Sequence, residues 1–187
     1  MRVLAISGSL RADSNNTGLL RALREEAPAG IDVEIWDGLK AIPPYDADDD
    51  VVPGPPDVEA FRELVREVDA VFFATPEYNS SVPGALKNAL DWASRPLATN
   101  SFRNKPVAVI SSSAGAFGGV WAAAELRKVL GAMGARVVEA ELTVGHAPEK
   151  FDDEGRLADD DVRQGLRDAL DALVTEVAPV VSDSVAV

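Results

Sequence analysis

The strongest strand signal in the chain is AVFFATPEYN, residues 70–79. Its first six residues, Ala70–Thr75, carry no charge and are almost all apolar, and a proline follows them at once. A continuous apolar run of this length is typical of a parallel strand that is covered on both faces. Residues 107–111 have the same character. We therefore predict that these two strands lie at the centre of a parallel sheet.

Strand and helix patterns alternate along the rest of the chain. Strands are predicted over Arg2–Ser7 and residues 33–36, 70–75, 107–111 and 136–142, and helices over residues 16–27, 56–68, 83–92, 118–133 and 159–177. Residues 37–57, with five prolines and an aspartate run, suit a solvated loop. Strands joined through helices pair in parallel, so we expect a doubly wound α/β sheet. One domain over residues 1–187 is predicted, with a frayed tail at 178–187.

The composition argues against several classes of protein. The chain has 31 acidic and 18 basic residues, a net charge of −13, which disfavours nucleic acid and anionic membranes as partners. It has no cysteine, which excludes disulfides, thiolate metal sites and cysteine nucleophiles. No apolar run approaches the ~20 residues of a membrane span. We expect a cytoplasmic protein without membrane insertion, and no metal site at the single histidine, His146.

Three loops leave the carboxyl ends of the predicted strands, where doubly wound sheets bind their ligands. The first loop offers a charged fork at Arg11 and neutral donors at Ser9, Ser14, Asn16 and Thr17. A helix begins directly after it, and helix N-termini attract anions. The loop therefore predicts a site for a terminal phosphate, although neither the P-loop pattern nor Gly-x-Gly-x-x-Gly is present. The alternative is that Ser14 or its neighbour only caps the helix.

The second and third loops suit a flat ring. In the second loop, residues 75–84, the amide of Asn79 and the backbone amides can meet a polar heterocycle, and Tyr78 can form an aromatic wall. The third loop, residues 111–119, has serines and small residues that let the main chain approach a ring closely. Either loop could instead be an ordinary turn, with Tyr78 packed and Asn79 bonded to the backbone.

Three motifs occur in a fixed order over roughly residues 2–175. They are Gly8-Ser9-x-Arg11-x-x-Ser14-x-Asn16, Pro76-Glu77-Tyr78-Asn79-x-x-x-Pro83-Gly84-x-Leu86-Lys87-Asn88-x-x-Asp91-Trp92, and Gly115-x-x-Gly118-Gly119. In this arrangement the chain resembles the NADPH-dependent FMN reductase family, which includes quinone, azo and chromate reductases. The resemblance implies a flavodoxin-like three-layer sandwich, in which a five-stranded parallel sheet of order 2-1-3-4-5 has helices on both faces.

The resemblance also implies a cofactor and its contacts. FMN would bind without a covalent bond. The family's phosphate loop matches Ser9, Arg11, Ser14, Asn16 and Thr17, the segment along the isoalloxazine matches Pro76, Glu77, Tyr78 and Asn79, and the loop along its other edge matches Ser113 and Gly115. Lys87, Asp91 and Trp92 would belong to the scaffold or an interface, since the family forms homodimers or homotetramers through the helices after the second and third loops.

The implied activity is an NAD(P)H oxidoreductase. Hydride would pass from NADPH or NADH to flavin N5, and a quinone or another small oxidant would then take the electrons. No catalytic acid or base is expected, because the chemistry belongs to the flavin. Two other functions stay open. One is an FMN electron carrier whose acidic surface suits a basic protein partner, against which Arg11 argues, and the other is a regulatory protein that has lost the cofactor.

Overall fold

Two uncharged strands, β3 (Ala70–Thr75) and β4 (Pro106–Ser112), pair at the centre of the sheet, and every residue of both is buried. The computed structural model describes residues 1–177, so the tail predicted over 178–187 lies outside it. On the other side β3 pairs with β1 (Arg2–Ser7), which pairs with β2 (Asp32–Trp36). The sheet is parallel and its order is 2-1-3-4-5, the flavodoxin-like order that we expected.

Helices cover both faces of the sheet, which completes the three layers. Within residues 1–177 the α-helices are α1 (Asn15–Glu26), α2 (Pro56–Glu67), α3 (Gly84–Ala93), α4 (Val120–Ala132) and α5 (Asp160–Val177). Alternate strand residues feed two cores, one shared with α2, α3 and α4 and the other with α1 and α5. In the described part of the chain, no helix combines the length and apolar character that crossing a bilayer demands.

The fifth strand differs from the prediction. We expected one strand over residues 136–142, but two short strands, β5 (Arg136–Val137) and β6 (Leu142–Val144), pair with β4 in succession. The register pairs Val107 with Val137 and Ile110 with Leu142, so four residues bulge opposite two. The guanidinium of Arg127 on α4 fills this gap, donating to the carbonyls of Val109 (2.7 Å) and Ala140 (2.9 Å).

The proline-rich loop over residues 37–55 is held by side chains from α2 and α3. The indole Nε1 of Trp92 and the amide of Asn88 both donate to the carbonyl of Pro43, at 2.9 and 2.8 Å. The buried guanidinium of Arg62 reaches the carboxylate of Asp50 and the carbonyl of Trp92. Trp92 is fully buried, which confirms that it belongs to the scaffold.

Candidate functional site

A cleft opens at the carboxyl edge of the sheet, where the loops after β1, β3 and β4 meet. Its volume of about 370 Å³ lies within the range of small-molecule sites. The lining residues come from all three loops and from one later proline: Ser9, Arg11, Ser14, Asn15, Asn16, Pro76, Glu77, Tyr78, Ser112, Ser113, Ala114 and Pro148. The three loops that the sequence singled out therefore line one cleft.

Hydroxyl groups give the first loop its shape. The Ser7 hydroxyl accepts from the backbone N–H of Ser9 (3.3 Å) and from the Thr17 hydroxyl (2.9 Å), which ties the loop to α1. The Ser9 hydroxyl accepts from the N–H of Arg11. A Cβ at Gly8 would lie 3.0 Å from a methyl of Leu86, so the chain turns here in a space that suits glycine. The loop is thus shaped by its own side chains.

The end of the first loop has the properties of an anion site. Ser14 precedes α1, yet within residues 1–177 its side chain makes no capping bond, so the alternative in which Ser14 only caps the helix is wrong. The first amides of a helix have no partner inside the helix and carry a partial positive charge. Arg11 is exposed at the same place, and its guanidinium has no ion-pair partner among the described residues. Together these groups suit a phosphate.

Asn16 lines the cleft but its side chain has a structural task. It is buried, its Nδ2 donates to the carbonyl of Ser112 (3.2 Å), and its Oδ1 accepts from the N–H of Ser112 (3.1 Å). This reciprocal pair joins the start of α1 to the end of β4. Asn16 therefore fixes the distance between the first and third loops.

The second loop contains a tight turn at residues 78–81. The backbones of Tyr78 and Ser81 exchange two hydrogen bonds of 3.1 Å, and the residues between them, Asn79 and Ser80, have φ of 53° and 61°. Two positive φ values in a two-residue turn are the signature of type I′. Asn79 consequently sits at the exposed tip of the turn, outside the cleft, whereas Tyr78 lines it.

Two carboxylates lock the second loop to α4. Oε2 of Glu77 accepts from the N–H groups of Trp121 (3.0 Å) and Ala122 (3.1 Å), so Glu77 caps this helix. In return, the carboxylate of Glu125 on α4 accepts from the Ser81 hydroxyl (2.6 Å) and more weakly from the next backbone N–H. These bonds lower the pKa of Glu125. Hydrogen bonds in both directions therefore tie this wall of the cleft to α4.

In the third loop the backbone turns at two glycines. Gly118 and Gly119 have φ of 62° and 83°, and a Cβ at Gly118 would lie 2.7 Å from the backbone N of Val144. Gly115 lies outside the cleft, where its carbonyl accepts from the N–H of His146 (3.1 Å) and from the Ser113 hydroxyl (3.3 Å). His146 itself is exposed.

Ser112 is a lining residue that the sequence did not single out. It is 1% exposed, and its hydroxyl has no hydrogen-bond partner within residues 1–177. A buried hydroxyl without a partner costs stability, so such a group suits a site where a ligand completes the bond. The sequence places Ser112 in the third loop, where residue type alone does not distinguish it from Ser111 and Ser113. The run of three serines from Ser111 at the end of a central strand was the available signal.

The structure brings together most of the predicted site residues. Ser9, Arg11, Ser14, Asn16, Pro76, Glu77, Tyr78 and Ser113 line the cleft. Thr17, Asn79 and Gly115 do not. Thr17 instead faces a second cleft on the other side of the first loop. The three exceptions shape the loops around the site.

Comparison with known proteins gives consistent matches. A sequence model of a family described as NADPH-dependent FMN reductase matches residues 1–149, which include all three loops. The chain is 42% identical over 174 residues to an NAD(P)H-dependent FMN reductase of Pseudomonas aeruginosa, a match that covers 92% of this chain and 93% of the relative. It is also 42% identical over 177 residues to an NADPH:quinone oxidoreductase of Arabidopsis thaliana, covering 91% and 88%.

A solved structure extends this likeness to three dimensions. The fold is similar to that of a flavoenzyme NAD(P)H:(acceptor) oxidoreductase of Paracoccus denitrificans, with a TM-score of 0.84 and 33% identity. The match covers 94% of this chain and 96% of that one. The similarity therefore spans the whole sandwich rather than one motif.

Proposed function

The chain belongs to the NADPH-dependent FMN reductase family, and from this premise we propose that the cleft between its three loops is the FMN site of an NAD(P)H-dependent FMN and quinone reductase. The activity class follows from relatives that share about two-fifths of their residues with nearly the whole chain. The placement of FMN rests on the donors of the first loop. Arg11, Ser14 and the start of α1 offer donors without partners beside the cleft.

The residues present fit this cofactor. A phosphate monoester is an anion with several acceptor oxygens, and Arg11 with the first-turn amides of α1 supplies donors for it. The buried, unpartnered hydroxyl of Ser112 belongs to the same lining and would donate to a polar ring edge. Tyr78, half exposed, borders the opening and would limit which molecules reach the ring.

The protein's own task in the reaction is positioning. When bound, FMN supplies the redox chemistry, in which hydride from a reduced nicotinamide and one proton convert a quinone to its hydroquinone. The described lining residues place one carboxylate at the cleft, Glu77, and it is committed to the cap of α4. Because this carboxylate is engaged in the cap, we propose that the proton comes from solvent. NADPH or NADH as the donor, and a cytoplasmic location, stay predictions.

The test is a sequence of optical measurements on the purified protein mixed with FMN. We expect bound flavin to shift its visible absorbance, to bleach when NADPH or NADH is added without oxygen, and to recover on addition of a benzoquinone. Steady-state oxidation of NADPH by the quinone, with no second protein present, separates a reductase from an electron carrier. Bound flavin that neither nucleotide bleaches would favour the carrier, and a protein that takes up no flavin would favour the regulatory alternative.

We also propose that the protein is a homodimer or homotetramer built on the helices after the second and third loops. The support is an apolar surface at the start of α4, where Phe117 and Trp121 are 68% and 50% exposed and their rings pack edge to face at 5.2 Å. Val120 adds to the same surface. Exposed aromatic clusters of this kind mark contact surfaces more often than free ones.

A further inference from the structure

A second cleft, of about 220 Å³, lies behind the first loop. It is bounded by α1, by the end of β2 and by the short helical turn at Gly38–Ala41. The two clefts share Ser9 and Arg11, so the first loop forms the wall between them. A ligand in the first cleft and a ligand in the second cleft would therefore be separated only by the first loop.

The charges of the second cleft are unusual for this chain. Lys40 lines it and has no ion-pair partner within the residues the structure describes, and Arg11, which we assign to the FMN phosphate, borders it on the shared wall. One carboxylate, Asp37, directly follows β2 and is likewise unpaired there. Most other basic side chains of the chain are engaged by acids or by backbone carbonyls. In a chain with a net charge of −13, the unpaired Lys40 gives this cleft a local cation that can meet an anion.

The aromatic part of the wall, Trp36, has close contacts on two sides. The ring of Trp36 stacks on Phe61 with centroids 4.3 Å apart. The backbone at Gly38 passes so close that a Cβ there would lie 2.5 Å from the indole Nε1. Trp36 is therefore held between a neighbouring ring and the main chain, and it fixes the position of the adjacent Asp37 and of the turn that presents Lys40.

We propose that the second cleft receives the 2′-phosphate of NADPH, with Lys40 favouring that phosphate and Asp37 opposing it. This rests on the proposed function, since it needs a nicotinamide dinucleotide beside bound FMN. NADPH differs from NADH only by a monoester phosphate on the adenosine ribose, which carries up to two negative charges. In nucleotide-binding sheets a carboxylate near this position of the fold favours a ribose hydroxyl, whereas a nearby cation accommodates the phosphate.

Binding of adenosine fragments to the FMN-saturated protein tests this without turnover. FMN in excess keeps the first cleft filled, and calorimetry then compares 2′,5′-ADP with ADP, which also has two phosphorus atoms but carries both in a 5′-diphosphate. We expect 2′,5′-ADP to bind about fivefold more tightly. Lys40→Ala should remove that preference, and Asp37→Asn should increase it. Opposite effects from two neighbours would not arise from general damage to the cleft.

The matched control is Lys128→Ala, which removes an exposed lysine of α4 without an ion pair in the described chain and should leave the preference unchanged. A second readout is the ratio of KM for NADH to KM for NADPH, which should fall towards one in Lys40→Ala. The inference is overturned if both fragments bind equally, if neither binds, or if Lys128→Ala has the same effect as Lys40→Ala. Uptake and bleaching of FMN are measured separately, so the proposed function can stand when this inference fails.

Discussion

At the scale of single residues, the first loop separates side chains that shape the site from those that are free to bind. Asn16 and Arg11 are both polar and both line the cleft, but the amide of Asn16 is paired with the backbone of Ser112. Arg11 makes no ion pair within the described chain. Residue type and spacing predict both as ligands, and only the hydrogen-bond geometry distinguishes them. The same holds for Glu77, whose carboxylate caps a helix.

Arg11→Ala should weaken FMN binding strongly while the fold persists. A hydrogen bond to a charged group contributes about 1.5–3 kcal/mol, so we expect Kd to rise roughly ten- to hundredfold. Quenching of flavin fluorescence during titration measures Kd, and far-ultraviolet circular dichroism monitors the fold. Arg24→Ala, on the solvent side of α1, is the control and should bind as the wild type does. Equal affinity in the two variants would remove Arg11 from the site.

At the scale of elements, carboxylates join a loop to a helix and one helix to another, in addition to the apolar contacts. Glu77 and Glu125 join the second loop to α4 in both directions. On the opposite face, Glu26 of α1 accepts from Arg163 (2.7 Å) and Arg167 (2.8 Å) of α5. Such contacts link elements that are far apart in sequence, so no local pattern predicts them. The helices themselves were predicted to within a few residues, because the apolar spacing that defines them is local.

Glu77→Ala should lower stability even without flavin. It leaves two amides at the start of α4 without their acceptor, which costs about 1 kcal/mol and lowers Tm by about 2–4 °C in a chain of this size. Thermal unfolding followed by circular dichroism gives the value. Glu77→Gln keeps an acceptor oxygen and should lose less. If Glu77→Ala changed only the FMN-bound protein, the carboxylate would be a flavin ligand and not a cap.

Glu26→Gln should show a pH-dependent loss of stability. Hydrogen bonds from Arg163 and Arg167 lower the pKa of Glu26 in the folded protein. The stabilisation is therefore complete above the unfolded pKa of about 4.3 and disappears as pH falls through the lower folded value. Urea midpoints measured between pH 7 and 3 should differ most between variant and wild type at pH 7, and the gap should close in acid. Glu25→Gln, the exposed neighbour, should show no such gap, and a gap that widens in acid would contradict the assignment.

At the scale of the whole molecule, the sequence predicted the architecture but only part of the residues that line the cleft. The uncharged runs of β3 and β4 predicted the centre of the sheet, since a strand that is buried on both faces needs uncharged residues at every position. The order of the strands came from resemblance to a family. Ser112 was missed because a buried serine at a strand end has the same surroundings in sequence whether or not a ligand meets it. The bulge between β5 and β6 depends on Arg127, which lies on another element.

Trp121→Ser should reduce self-association. The change removes half-exposed aromatic surface at the start of α4, where we place the contact between copies. Light scattering coupled to size-exclusion chromatography would show a smaller assembly or a steeper dependence on concentration. Val52→Ser is the control, because Val52 is 99% exposed in the loop before α2 and should leave the mass unchanged. A wild-type protein that is monomeric at all concentrations would contradict the proposal.

The broken outer strand has a consequence for how copies can meet. A long straight strand at the border of a sheet exposes a ladder of unpaired amides and carbonyls, onto which another chain can add and start a fibril. Here that border consists of two and three residues separated by a bulge, and the carbonyl of Ala140 is already taken by Arg127. Growth by strand addition therefore has no continuous template at this border of the sheet.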